Sequence, residues 1–170
     1  MSIEKNKKGK ILEEAAKIFA RDGFEKASVD EISLKAKVAK GTVYYYFKSK
    51  QDLFDAIILE GEKRFRELIE NKIKNITDVK EKLKKIIEAE KEFVLSYQEE
   101  FKVFIGYILD RKHSFGIIEE VVEEGKKQNV FRKDMATKEM AMSIFWTVVM
   151  TTLNGQSEKQ KEFILKAVLV

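Results

Sequence analysis

The 170 residues contain no cysteine, no proline, one histidine and only eight glycines. Without cysteine there are no disulfides and no thiolate metal sites, which is compatible with a reducing compartment. The single histidine, His113, has no cysteine to join it, so neither a metal nor a cofactor is expected. Missing prolines and sparse glycines remove the usual helix breakers and favour helix throughout. No apolar run is long enough to span a bilayer. Met1 to Lys10 is polar and basic with no apolar stretch behind it, so no signal peptide and no membrane segment are expected, and the chain is read as cytoplasmic. Catalytic patterns are missing as well: there is no nucleophile beside a base and no glycine-rich phosphate loop. The acidic pairs Glu119-Glu120 and Glu123-Glu124 most simply form solvated helix faces, so an enzyme is not expected.

What is present is an ordinary soluble composition, 44% hydrophobic and 36% charged, long enough for one well-packed core or two small ones. The net charge of +4 is unevenly spread. Residues 1–50 hold 12 Lys and Arg against 7 Asp and Glu, a net +5, and the remaining 120 residues, with 21 against 22, sum to −1. A basic head on a nearly neutral body is the electrostatic footprint of a nucleic-acid module, although the same lysines also suit a solvated surface rich in Lys and Glu.

The stretch Ser28 to Lys50, SVDEISLKAKVAKGTVYYYFKSK, carries the sharpest pattern. Ser28 as N-cap and Glu31 three residues on predict a capping box and a helix from about Val29. Lys37-Val38-Ala39 breaks the apolar spacing before a second short helix begins near Lys40, and two short helices joined by a tight turn make a DNA-binding hairpin. On a wheel of about 100° per residue, Val43 and Phe47 point one way and Tyr45 nearly the opposite way. Gly41, Thr42 and Lys48 fall towards Tyr45, with Tyr44 and Tyr46 flanking. A small domain cannot bury three consecutive tyrosines beside Lys40, Lys48 and Lys50, so this face is expected outside. It suits a major groove, where rings touch thymine methyls and hydroxyls donate to phosphate oxygens.

From about Ile11 to Leu53 these residues resemble the tetracycline-repressor (TetR) family of bacterial transcriptional regulators. The matching segments are an amphipathic first helix, G-F-E-K-A-S-V-D-E-I, and K-A-K-V-A-K-G-T-V-Y-Y-Y-F-K-S-K-Q-D-L. The Y-x-x-F-x-S-K segment after G-T-V is far more specific than a generic helix-turn-helix. The resemblance implies Lys40, Gly41, Thr42 and Tyr44 near bases, with Tyr45, Tyr46 and Lys50 on phosphates; Lys48, which the wheel turns to the same outward side, is a further candidate DNA contact. Ser28 and Val29 stand at the start of the second helix, where relatives often place a phosphate-binding hydroxyl; Val29 departs from that pattern. Lys37 stands where the family usually has a turn glycine, and Ala39 where a serine commonly caps the recognition helix.

Along the whole chain an all-α fold of about nine helices is expected. Ile11, Leu12, Ala15, Ala16, Ile18 and Phe19 mark a first helix over Lys7–Asp22, stopped by Gly23 and packed on Ile32, Val38, Val43 and Phe47. Ser49 and Asp52 cap a long helix to about residue 75, and Thr77-Asp78 with Glu81 starts the next. Helices follow over Phe101–Lys112, Phe115–Lys127 and Thr137–Leu153, with Asn129–Met135 a loop, and the last, capped by Ser157 and Gln160, ends at Val170. Residues 1–48 form the expected helix-turn-helix domain and 49–170 a helical effector-binding and dimerisation domain, the long helix linking the two. The resemblance implies a small apolar effector in the body, and Phe93, Tyr97, Phe104, Tyr107, His113, Met142, Trp146, Thr147 and Met150, with Asn154, are its candidate contacts. Ile144, Phe145, Val148, Val149 and Thr152 on one of the last two helices and Phe163, Ile164, Ala167 and Val168 on the other are too apolar for solvent, and the resemblance implies a homodimer in which these two helices pair with their copies. A repressor binding a palindromic double-stranded operator is the leading expectation. An activator, a protein-binding helical module and an enzyme are the alternatives.

Overall fold

Eight helices run through the described part of the chain: α1 Ile3–Lys26, α2 Val29–Ala36, α3 Lys40–Tyr46, α4 Lys50–Ile73, α5 Val79–Ser96, α6 Gly116–Lys127, α7 Thr137–Leu153 and α8 Gln160–Val168. The structure is a computed structural model and describes residues 3–97, 101, 103, 105, 116–155 and 160–170, with side chains from Lys7 on. Residues 101, 103 and 105 are helical, and the rest of the helix expected over Phe101–Lys112 lies outside the described residues, as does Ser157. Among the described residues there is no strand, only an isolated antiparallel bridge between Phe131 and Leu169. No helix among them is long and apolar enough to cross a membrane.

The caps written in the sequence form at the starts of α4 and α5 but not at α2. Asp78 accepts from the Glu81 N–H at 2.8 Å and opens α5. Ser49 Oγ accepts from the Asp52 N–H at 3.0 Å while Asp52 reaches back to the Lys48 N–H at 2.8 Å, a reciprocal pair that opens α4. The capping box expected at α2 does not form: Ser28 occupies the cap position without a side-chain bond. Glu31 is drawn instead to Arg21 on α1, a charge-assisted bidentate pair at 2.8 and 3.0 Å. Gly23 interrupts α1 at φ 75, ψ 168, a conformation glycine reaches at little cost.

The chain forms two compact units, Met1–Lys63 with Gln98–Arg111, and Arg64–Tyr97 with Lys112–Val170. The first unit is built on the α1 stripe. Ile11, Ala15, Ile18 and Phe19 pack with Ile32, Val43, Phe47 and Leu53 in one cluster, and Val38 leans on it from the turn. Phe19, Phe24 and Phe54 close one side of that cluster, with ring centroids 5.3–5.9 Å apart.

In the second unit α5 packs on α6 and α7, and α7 also packs on α8. The buried side of α5 carries Leu83, Ile86, Ile87, Glu90, Phe93 and Val94; that of α7 carries Met140, Ala141, Ile144, Phe145, Val148, Val149 and Thr152. Gln160 locks the start of α8, its amide donating to the Val148 carbonyl at 2.8 Å. At the α6 C-terminus Asn129 takes φ 55, the left-handed stop that lets the chain turn back under Phe131. Phe131 is fully buried, and a Cβ on Gly125 would overlap its ring. Gly125→Ala is therefore expected to cost about 1–2 kcal/mol in urea unfolding, because the ring must shift within a filled core.

Candidate nucleic-acid interface

The α2–α3 hairpin is tight because Lys37 takes the left-handed conformation, φ 57 and ψ 44. A non-glycine residue there costs on the order of 1 kcal/mol. Two closing bonds offset it, from the Lys37 N–H to the Leu34 carbonyl at 3.1 Å and from the Val38 N–H to the Ser33 carbonyl at 3.0 Å. Ala39 is the N-cap of α3 and offers no side-chain bond.

The wheel reading of α3 is matched by its burial. Val43 and Phe47 are each 2% exposed, whereas Tyr45 is 77% and Tyr44 46% exposed. Lys40, Gly41 and Lys48 are exposed, and Thr42 is half-buried. Tyr46 is half-buried too, its ring edge-on to Tyr45 at 5.1 Å. The outward side of α3 is thus a surface of rings and hydroxyls. Ser28 is exposed ahead of α2, but the Val29 side chain is turned into the core, so only its backbone is available there.

Two lysines have roles that the sequence did not announce. Lys50, expected on phosphates, donates from Nζ to the Glu25 carbonyl at 2.9 Å and the Ala27 carbonyl at 3.4 Å, and lies 4.8 Å from the centre of the Phe24 ring. It holds the start of α4 to the α1–α2 connection and acts as a positioning residue. Lys40 pairs with Asp30 on α2 at 2.7 Å, and that hydrogen bond raises the ammonium pKa above its ordinary value. Arg21, absent from the expected set, grips Glu31 and Asp22, and its hydrogen bonds hold both carboxyls below their usual range. All three clamps join elements of the reading head, at sequence separations where no local pattern gives a signal.

In the second unit the candidate effector contacts divide. Phe93, Tyr97 and Trp146 come together through Phe65 and Phe145. Phe93 is 5.1 Å from Phe65 and 4.9 Å from Tyr97, Phe65 is 6.3 Å from Phe145, and Phe145 is 5.5 Å from Trp146. Beside them a groove of about 300 Å³ is lined by Leu68, Phe93 and Tyr97 together with the polar Arg64, Glu67, Asn71, Glu92 and Ser96. Met142 and Met150, expected in the same site, are 42% and 51% exposed, on the side of α7 that also carries Trp146 and away from its buried face. The Thr147 hydroxyl donates to the Ser143 carbonyl of its own helix at 2.7 Å. Asn154 is exposed just past α7. Phe104, Tyr107 and His113 lie outside the described residues. No group of three or more metal-ligating side chains occurs among the described residues.

The expected dimer face needs correction. Ile144, Phe145, Val148, Val149 and Thr152 of α7, and Ile164 and Val168 of α8, are buried within the chain itself against neighbouring helices. The apolar residues left outside are Met142, Met150 and Leu153 on α7 and Phe163 on α8, the last 65% exposed, with Ala167 exposed as well.

These features have counterparts in known proteins. The family model for bacterial regulatory proteins, tetR family, matches residues 11–57, the segment that contains α2 and α3. The fatty acid metabolism regulator protein of Bacillus subtilis is 34% identical over 87 residues, 51% of this chain and 45% of its own length. This chain spans about half the length of the curated relatives matched first, 45% and 53%. Among solved structures, a protein of Clostridium perfringens assigned to fatty acid metabolism regulation is 28% identical, with a TM-score of 0.78 over 95% of this chain and 99% of that one. The fatty acid degradation regulator FadR of Bacillus halodurans has the same fold, with a TM-score of 0.77 over 94% of each chain at 24% identity. With the hairpin, the tyrosine face and the helical body all accounted for, residues 11–57 match the tetR family of bacterial regulatory proteins, and the chain as a whole shares the fold of solved regulators of that kind.

Proposed function

We propose that this protein is a transcriptional repressor that binds a palindromic operator as a homodimer and leaves it when a small apolar effector enters the helical body. One observation carries the reading: Tyr44 and Tyr45 stand 46% and 77% exposed on a short helix whose opposite side is fully packed, in the basic part of the chain. Exposed rings flanked by lysines are a costly surface in water and a fitting one against a groove walled by phosphates. On this reading residues 1–48 are the DNA-reading domain. Gly41, Thr42 and Tyr44 meet bases; Tyr45, Tyr46, Lys48 and Ser28 meet the backbone.

The body, residues 49–170, supplies the other two functions. Met142, Met150, Leu153 and Phe163 are the faces on which two copies pair, since exposed apolar surface of this kind is stabilised by a partner. A two-fold dimer sets its recognition helices about 34–36 Å apart, one turn of duplex. The ring group Phe65, Phe93, Tyr97, Phe145 and Trp146 suits an apolar ligand with few polar groups. The roles of the relatives in B. subtilis and C. perfringens favour a fatty-acid-like compound. Helix α4 belongs to both compact units and is the natural transmitter between them. An effector releases DNA only if it prefers the form in which the heads no longer match the groove spacing.

The test is recovery of genomic fragments by the purified protein, followed by fluorescence anisotropy on the recovered duplex with and without a long-chain fatty acid. Specific binding that the fatty acid releases is the expected result. Lys48→Ala should weaken binding on every sequence alike and shorten the salt dependence by about one phosphate contact. A chain that retains no duplex over random competitor is not a repressor.

A further inference from the structure

The base edges that a recognition helix can distinguish depend on the side chains it brings. Guanine is read by Arg or Lys, adenine by Asn or Gln in bidentate pairs, and thymine through contact with its C5-methyl group. From Ile32 to Lys50 the chain contains no Arg, Asn, Gln, His, Asp or Glu. Hydrogen-bond readout from this hairpin is therefore left to lysines and hydroxyls. The lysine within α3, Lys40, is held by both carboxylate oxygens of Asp30, at 2.7 and 3.0 Å. Lys50 is spent on backbone carbonyls at the α1–α2 connection. Lys48 lies beyond the last turn, where Phe47 has already returned to extended backbone at φ −135, ψ 117.

What α3 does present, besides the hydroxyls at the tyrosine tips, is apolar: the exposed rings of Tyr44 and Tyr45 and the half-buried Thr42 with its methyl group, around Gly41, where a Cβ would meet nothing within 4 Å. Gly41 and Tyr45 lie one turn apart on the same line of the helix, so a groove floor that approaches Gly41 comes under the tyrosine rings. Matching surfaces in a major groove are thymine methyl groups.

We propose that α3 reads its operator through thymine C5-methyl groups, which pack on the Thr42 methyl and the rings of Tyr44 and Tyr45, and that it does not read guanine. This rests on the DNA-binding reading above and names the chemistry of its sequence preference. The operator half-site carries A·T pairs beneath α3. The tyrosine hydroxyls remain free to reach phosphates while the ring faces cover methyl groups.

The experiment starts from duplexes recovered out of a random-sequence pool. The bound duplex is then synthesised unmodified, with uracil for thymine in the half-sites, and with 7-deazaguanine for guanine. Uracil keeps the pairing and removes only the methyl; 7-deazaguanine removes the N7 acceptor. Each buried methyl lost should weaken binding about four-fold, and the 7-deazaguanine duplex should bind like the unmodified one. Thr42→Ser keeps the hydroxyl and deletes the protein methyl, so together with Tyr44→Ala it should shrink the uracil penalty. A uracil duplex bound as tightly as the thymine one, or a larger loss with 7-deazaguanine, overturns this inference while the DNA-binding reading stands. Recovery of no duplex at all overturns both.

Discussion

A Gly41→Ala variant is expected to keep its fold and lose its DNA. Gly41 sits in the first turn of α3, is exposed, and has nothing within 4 Å of the place where a Cβ would stand. It is not among the residues at positive φ, so alanine fits the backbone. Helix propensity alone favours the alanine by up to about 1 kcal/mol. The chain therefore gains nothing internally from this glycine; the space above it is of use only to something that approaches from outside. A methyl there lifts the helix off the groove floor, and with about tenfold lost per head a symmetric dimer loses about a hundredfold in affinity. Thermal unfolding should be unchanged or slightly later, while anisotropy on the recovered operator records the loss. Wild-type affinity in this variant would remove Gly41 and the helix line it shares with Tyr45 from the interface.

The second large effect concerns Glu90, buried in α5 at 1% exposure with neither carboxylate oxygen hydrogen-bonded among the described residues. Burial pushes this carboxyl from its ordinary 4.5 up to about 8. The folded state thus binds the proton more tightly than the unfolded state does. Its contribution to stability is complete below about pH 4.5, falls as pH rises through about 8, and is constant above. At pH 7 the deficit relative to acid is on the order of 3 kcal/mol. Glu88, on the same helix, titrates in the opposite sense. Lys161 and Lys85 hold its carboxyl below the usual range, so its contribution is lost only as pH falls through that lowered value. Comparing wild type with Glu90→Gln at pH 5, 7 and 9 isolates Glu90, with the single tryptophan, Trp146, reporting urea unfolding of its own unit. The wild type should lose stability over this interval by several-fold more than the glutamine variant, and Glu90→Met should be the more stable protein at pH 9. Equal pH slopes would mean that water or another group reaches the carboxylate.

Glu90 also shows where sequence reading fell short although a signal was there. It stands four residues after Ile86 and three before Phe93, on the apolar line of α5, and a carboxylate at that register announces a buried charge. Lys50 gave no such warning. Its partners are carbonyls 23 and 25 residues away, and the same side chain in the same motif reads equally well as a phosphate contact. For α7 the difficulty was of another kind. With Met142, Trp146 and Met150 on one side and Ile144, Phe145 and Val148 on the other, the helix is apolar nearly all round, so periodicity cannot name its inner face. Packing against α5 and α8 decided it, and the methionines expected around a ligand came out on the surface.

The α3 face was legible because its two sides differ in kind, Val43 and Phe47 against Gly41 and Tyr45. A period of about 3.6 residues then sorts them with no reference to the rest of the chain. The helix starts at Ser49 and Asp78 were legible for the same reason, since a cap and its partner lie three residues apart. By itself, then, the sequence determined which of the described segments are helical, which side of the reading helix is outward and where the positive charge lies. The tertiary structure alone decided which face of α7 is core, which lysines are held by Asp30 and by the carbonyls of Glu25 and Ala27, and that Glu90 is buried with no hydrogen-bond partner among the described residues. Helical period and capping are written within a few residues, whereas burial and ion pairing depend on neighbours that only the folded chain brings near.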